Sequence, residues 1–518
     1  MDKSRISNMN IKNFLLAILI SFSSAVSLQA QESKSTENDK LNAVRKMDAL
    51  LTVINYAYVD EVEDDKLIEH AIVGMLKELD PHSVYIPKEE LQKMNEPLEG
   101  NFEGVGIQFN ILHDTLMVVS PISGGPSEKV GIVSGDKIIK IDGENVAGVG
   151  LKNSDVQDKL RGKKGTLVNV EVMRGSNEKL ISFDITRDEI PIYSIDASYM
   201  ATPEIAYIKV NRFARNTMDE FKGALDTLKQ KGAKNLILDL RGNGGGYLQV
   251  AYMLADEFLG ANKMIVYTEG DKQKREEYKA TSKGGFEKGN LVVLVDEGSA
   301  SASEIVSGAV QDWDRGLIIG RRTFGKGLVQ KPFPLPDGSA IRLTTARYYT
   351  PTGRSIQKPY DKGKDFYYHD IERRYKSGQL ISADSIKFPD SLKYYTPGKR
   401  LVYGGGGIMP DIFVPLDTTM NSDLYGDLAR KGVFNYFILD YLDENRKKLI
   451  KSYPTFSAFD QNFTTEGEFI DEFFQRINFP FFARRPAHQR EKIAERFGQK
   501  SGVAVSRHRN YFAVNSFR

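Results

Sequence analysis

The sequence predicts a multidomain chain of α+β / α/β class. A helical N-terminal region (31–100) leads into a small β-barrel (101–188). An α/β core on a largely parallel sheet comes next (189–419), then a partly helical C-terminal extension (420–518). Three observations predict this. The 518 residues exceed what one hydrophobic core holds. Near residue 101 the hydrophobic period changes from helical to alternating. Beyond residue 200, buried strands alternate with apolar-faced helices, the pattern of an α/β layer.

In the N-terminal region the apolar positions Leu51, Val53, Ile54, Ala57 and Tyr58, then Leu67, Ile68, Ala71, Ile72 and Met75, follow a helical pattern. Leu79-Asp80-Pro81-His82-Ser83 breaks that pattern with a turn. Across 101–188, short apolar runs (Ile107–Ile111, Leu116–Ser120, Lys137–Ile141, Thr166–Met173, Leu180–Thr186) are separated by glycine turns, and one helix fits Ser154–Leu160 with Ser154 as its N-cap. In the core, Asn235–Leu240 reads as a buried strand followed by a glycine loop and a helix from Tyr247 to Leu259. Leu291–Val295 reads as a second strand and Leu317–Gly320 as a third. Between those two, Ala302, Ile305, Val306, Ala309, Val310 and Trp313 form one apolar helix face.

Composition narrows the function classes. Hydrophobic residues make up 41% and charged residues 27%, as in soluble globular domains. The net charge of +2 gives no global reason to expect nucleic acid. Residues 483–518 are locally basic, with nine Lys/Arg against two Asp/Glu; they read as a solvated tail, with a peripheral membrane or partner contact as the alternative. The chain has no cysteine, which excludes disulfides, a thiol nucleophile and thiolate metal sites. Lys3, Arg5 and Lys12 precede an apolar run, Phe14–Val26, and small residues end at Ala30. This describes a signal peptide over 1–30 and a periplasmic or cell-envelope protein. The alternative is a membrane anchor through 14–28.

Two strand-to-helix turns carry candidate chemistry. In Gly298-Ser299-Ala300-Ser301-Ala302-Ser303-Glu304, Ser301 falls at a helix N-terminus, where free N–H groups favour developing negative charge. The same Ser301-x-x-Glu304 spacing is also a capping box, so the stretch alone leaves both readings open. Arg241-Gly242-Asn243-Gly244-Gly245-Gly246 is a second such turn, and both would meet at the carboxyl edge of one sheet, where open α/β sheets bind ligands. None of the six histidines lies between 114 and 368. Lys326, flanked by Gly325 and Gly327, is the better base, because a lysine taken out of water is more easily deprotonated. Gln330 shares its face in an extended segment. Gly320 to Lys326 matches the start of a nucleotide-binding loop, but Gly327 stands where Ser or Thr is required.

These residues resemble the C-terminal processing (tail-specific) peptidases. The resemblance rests on Ser299–Ile305 with Gln311-Asp312, on Thr323–Gly327 with Gln330, on Asp239–Gly246, on Leu79–Ser83 and on Ala346–Pro351, and it covers roughly 41–415. It implies a Ser–Lys serine endopeptidase without cofactor or metal: Ser301 the nucleophile, Lys326 the base, Gln330 its orienter, and the N–H groups of Ala302 and of Gly245 or Gly246 the oxyanion hole. It implies a ClpP/crotonase-like core and a PDZ domain at 101–188. There Gly104, Val105, Gly106 and Ile107 would hold a substrate carboxylate, and Val156 and Leu160 would wall an apolar pocket. The chain departs from the family in an insertion at about 358–406, readable as a lid, a docking surface or an inert loop. Candidate partners are protein or peptide substrates with free C-termini, an envelope adaptor protein, a peripheral membrane contact and a homo-oligomer. An inactive tail-binding scaffold is the alternative class.

Overall fold

The computed structural model describes residues 39, 41–175, 179–418, 423–463 and 468–476. The expected signal peptide and the basic tail lie outside these residues. The chain divides into two compact units, 1–85 and 86–518.

In the first unit, α1 spans 41–57 and α2 spans Asp64–Lys77. The chain then turns at Asp80, whose buried carboxylate accepts the N–H groups of His82 (2.7 Å) and Ser83 (2.9 Å). This is the side-chain-to-backbone turn that an Asp-Pro pair favours.

The second unit opens with α3 (Lys88–Glu99), closed by Gly100 at φ 84. The barrel comes next: β1 (Asn101–Gly104), β2 (Ile107–Leu112), β3 (Thr115–Pro121), α4 (Pro126–Lys129), β4 (Lys137–Ile141), β5 (Glu144–Asn145), α5 (Asn153–Leu160), β6 (Leu167–Met173), β7 (Ile181–Thr186) and β8 (Asp188–Pro191). Its sheet runs β2-β3-β4-β6-β7, so β2 is an edge strand, while β1 pairs with β8. Alternation along β6 turns Val168, Val170 and Val172 into the barrel core. The N-cap of α5 is Lys152, not Ser154: the Asp155 carboxylate takes the Lys152 N–H at 3.0 Å and starts the helix one residue early.

The core comprises β9 (Ile195–Thr202), β10 (Ile205–Val210), α6 (Thr217–Gln230), β11 (Asn235–Asp239), α7 (Leu248–Asp256), β12 (Met264–Gly270), β13 (Gln273–Lys279), β14 (Leu291–Val295), α8 (Ala302–Asp312), β15 (Leu317–Gly320), β16 (Leu328–Pro334) and β17 (Ala340–Tyr349). The insertion adds α9 (Lys364–Tyr368), α10 (Asp370–Lys376), β18 (Lys393–Tyr395) and β19 (Leu401–Tyr403), and β20 (Ile412–Phe413) returns to the main sheet. That sheet runs β9-β10-β11-β14-β15-β20, parallel except for β9–β10. Its central strands are near-continuous apolar runs because both faces are covered. A second antiparallel sheet joins β16, β17, β12 and β13. Every residue of α8 is buried, and Gly308 sits so close to Thr350 and Ile408 that a Cβ there would lie 3.0 Å and 3.2 Å from them. The extension holds α11 (Asp423–Arg430), α12 (Val433–Ser452), α13 (Phe456–Asn462) and α14 (Glu468–Arg476), with its own aromatic core around Phe434, Phe437, Phe469 and Phe473. Among the described residues no helix is long and apolar enough to cross a membrane.

Candidate active site

The strands β11 and β14 lie side by side, so the loops leaving their carboxyl ends must meet. Asn243, fully buried, ties them together. Its carbonyl accepts Ala300 N–H (3.0 Å) and the Ser303 hydroxyl (2.8 Å), and its side chain bonds Val210 O and the Gly245 N–H. Asp239 anchors the start of the glycine loop through Arg241 and Tyr207. Burial pushes the Asp239 carboxyl upward, yet the bonds from Arg241 and Tyr207 outweigh it and leave the pKa lowered. A Cβ on Gly245 (φ 104) would lie 2.8 Å from the Ser301 Cβ and 3.0 Å from the Ala302 nitrogen, so only glycine permits this approach.

Ser301 itself takes φ 54 and ψ −112, outside the favoured regions for an L-residue. Such strain is held only where the surroundings over-determine it, and it concentrates at functional turns. In the first turn of α8, Ser303 N–H bonds Ala300 O and the N–H groups of Glu304 and Ile305 bond Ser301 O. Among the described residues, the Ala302 N–H has no protein acceptor. Of the two glycines expected to supply a donor, Gly245 already gives its N–H to Asn243 Oδ1 at 2.9 Å, whereas the Gly246 N–H has no protein acceptor among the described residues.

The lysine loop reaches this edge through Phe324, whose N–H bonds Ser299 O at 3.0 Å. Lys326 Nζ donates to Gln330 Oε1 at 3.0 Å. Ser301, Lys326 and Gln330 line one cavity of about 500 Å³, together with Ala302, Gly244–Gly246 and residues of α3. Glu304 joins the two halves of the site. This fully buried carboxylate accepts the Ser301 N–H (2.8 Å) and Lys326 N–H (2.9 Å) on one oxygen, and the Thr323 hydroxyl (2.5 Å) and Gly325 N–H (2.7 Å) on the other. Burial pushes its pKa up against those four donors. The capping-box spacing is thus real, and the same carboxylate also fixes the lysine loop. Tyr348, buried beneath, donates to the carbonyls of Ser301 and Lys326. Glu304 had a sequence signal, a carboxylate in an otherwise buried helix; Asn243 and Tyr348 had only their place inside the motifs.

Among the described residues, the insertion contributes none to the cavity wall. It braces the lysine loop from behind. Arg374, buried, donates to Thr323 O at 2.8 Å. Lys358 Nζ lies 3.7 Å from the Phe324 ring centroid and 4.1 Å from that of Tyr367. Burial lowers the Lys358 pKa to about 8.

In the barrel, the Val105 carbonyl is held by the Ser127 N–H and hydroxyl, and the Gly106 carbonyl by the Ile122 N–H. Pinning a carbonyl on one side of a trans peptide turns the next N–H to the other side, so Gly106 and Ile107 present theirs away from those bonds. Gly104 is paired within β1, and Gly106 holds φ 72. Val156 and Leu160, expected to wall a pocket, are buried in the barrel core. The i, i+4 face of α5 turns both into the barrel core beside Val105, and the groove between β2 and α5 is flanked by Phe109, Ile111, Leu151, Lys152, Asn153 and Gln157.

Comparison with known proteins is consistent with this layout. The profile of peptidase family S41 matches residues 204–363, that of the PDZ domain matches 104–185, and that of the activating protease CtpB N-terminal domain matches 14–90. A family of unknown function matches 424–484. The chain is 37% identical over 335 residues to the carboxy-terminal processing protease CtpB of Bacillus subtilis, covering 64% of this chain and 68% of that protein. It is 37% identical over 350 residues to the carboxy-terminal-processing protease of Bartonella bacilliformis, covering 66% and 79%. Among solved structures, a photosystem II D1 C-terminal processing protease aligns with 27% identity and a TM-score of 0.38, covering 72% of this chain and 88% of that one.

Proposed function

The chain belongs to the carboxy-terminal processing proteases, serine-type peptidases of family S41 with a PDZ domain, and from that premise we propose a Ser–Lys mechanism acting on envelope proteins held by their free C-termini. Ser301 Oγ attacks the scissile carbonyl and its proton passes to the neutral Lys326 amine. The oxyanion is met by the Ala302 and Gly246 N–H groups, preorganised at the start of α8 and in the glycine loop. Lys326 then gives the proton to the departing amine. Water, deprotonated by the same lysine, releases the acyl group from Ser301. Gln330 aims the amine, and Glu304 keeps the nucleophile and base loops in register. The observation that carries the reading is the shared cavity, where the strained Ser301 and the Gln330-bonded Lys326 line one wall.

Tail recognition is part of the proposal. The outward N–H groups of Gly106 and Ile107 suit a carboxylate, and the open edge of β2 suits an added strand. Export through residues 1–30 would bring the enzyme to the envelope. The test uses two peptides with apolar ends, identical except that one is C-terminally amidated. The free acid is cleaved faster, and neither is cleaved by Ser301→Ala. Cleavage by the Ala variant would refute the nucleophile, and equal cleavage of acid and amide would refute tail recognition alone.

A further inference from the structure

The C-terminal extension plays no part in the mechanism above, yet it touches the barrel at one telling place. α11 and α12 meet at Arg430-Lys431-Gly432, with Gly432 at φ 68. One turn later Tyr436 packs on Leu112 and Met117, and its ring lies 5.2 Å from that of His113. Farther along α12, the Arg446 guanidinium lies against Gly135. The α11–α12 turn is thereby held at the far end of the groove between β2 and α5. A cavity of about 710 Å³ opens there, with Phe109 and Ile111 on one side, Lys152 and Gln157 on the second, and Arg430 and Lys431 on the third.

Direction and charge decide what this third wall meets. A tail added antiparallel to β2, with its carboxylate at Gly106 and Ile107, runs upstream toward Leu112. The six residues of β2 pair one for one, so the tail reaches Leu112 about five residues before its end. Substrate residues farther upstream then pass the turn. Lys152, Arg430 and Lys431 are exposed there, and among the described residues no carboxylate lines the cavity. The acids nearby are Asp114, held by the N–H groups of Gly150 and Leu151, Asp155, held by the Lys152 N–H, and Asp427, paired with Arg430. Among the described residues neither Lys152 nor Lys431 forms an ion pair, so both ammonium groups are open to acidic side chains of a substrate.

We propose that the α11–α12 turn is the upstream wall of the tail groove and selects substrates with acidic residues about five to eight positions before the C-terminus. The inference rests on the tail-recognition reading. Its test measures peptide affinity by fluorescence anisotropy with the full chain carrying Ser301→Ala. The peptides share one apolar end and carry three acidic residues or three Ser/Gly residues upstream. The acidic peptide binds about fivefold tighter, an advantage that fades with salt. In a folded Arg430→Gln/Lys431→Glu variant the advantage disappears while the neutral peptide binds as before. Equal affinities in the unmodified groove, or an advantage that survives the double substitution, overturn the proposal. So does a second copy of the chain that occupies the turn and is lost with Lys431→Glu. An amidated acidic peptide separates the two claims: if it binds like the free acid, the tail reading fails. If acid and amide differ but acidity upstream has no effect, only this inference fails.

Discussion

Replacing Glu304 by Gln should cost activity far more than substrate binding. The carboxylate now accepts four hydrogen bonds, two on each oxygen. A carboxamide keeps one accepting oxygen. If that oxygen stays on Thr323 and Gly325, the NH₂ group faces the Ser301 and Lys326 N–H groups, donor against donor. Two charge-assisted bonds are lost, at about 1.5–3 kcal/mol each, so relaxation should leave a destabilisation of roughly 3–4 kcal/mol. The lost bonds are those that hold the Ser301 and Lys326 backbones in register. A displacement near 1 Å at such a site lowers the rate about 100-fold. Steady-state kinetics on a tail peptide should therefore show kcat falling about 100-fold with KM nearly unchanged. Thr323→Val, which leaves three backbone donors on the carboxylate, should lose only several-fold. A Glu304→Gln enzyme with near-normal kcat, or one in which KM alone rises, would refute the role assigned to this carboxylate.

Two further outcomes rest on the same geometry and a third on the N-terminal sequence. Lys326→Arg should be inactive, since Arg stays protonated, and EDTA should leave the unmodified enzyme unaffected; an active Arg variant contradicts the base assignment. Lys358→Met should change the pH dependence of stability. The buried ammonium titrates near 8, against 10.5 for the free side chain, so between these values the unfolded chain binds more protons and this residue's contribution to stability rises with pH. The difference between wild type and variant, followed by chemical denaturation, should grow with pH across 8 to 10.5, and parallel curves would count against it. N-terminal sequencing of the exported protein should begin near Gln31; an intact N-terminus in the membrane fraction would support the anchor instead.

The elements that position the site were legible because their signals are local. Leu291–Val295 and Leu317–Gly320 occur as predicted, since short uninterrupted aliphatic runs near glycines have few alternatives. Lys326 and Gln330 do bond, although Lys326 precedes β16 and a bulge falls between Val329 and Gln330. The insertion was illegible for the opposite reason: Arg374 and Lys358 tie it to the lysine loop, and Asp314 and Arg354 hold its hairpin, contacts with no periodic trace. The inward turn of Val156 and Leu160 was missed because an i, i+4 apolar pair fits a core and a pocket equally well. The use of the Gly245 N–H by Asn243 depends on backbone conformation that a run of glycines does not specify.

The central claim is that Ser301 carries the acyl group. Intact-mass and peptide-mapping mass spectrometry of the enzyme, acid-quenched during turnover of a tail peptide ester, tests it most directly. The account predicts a mass increment equal to the acyl fragment, located on Ser301 and absent from Ser301→Ala. Turnover with the increment on another residue, or with Ser301 unmodified while the Ala variant still cleaves, would contradict it.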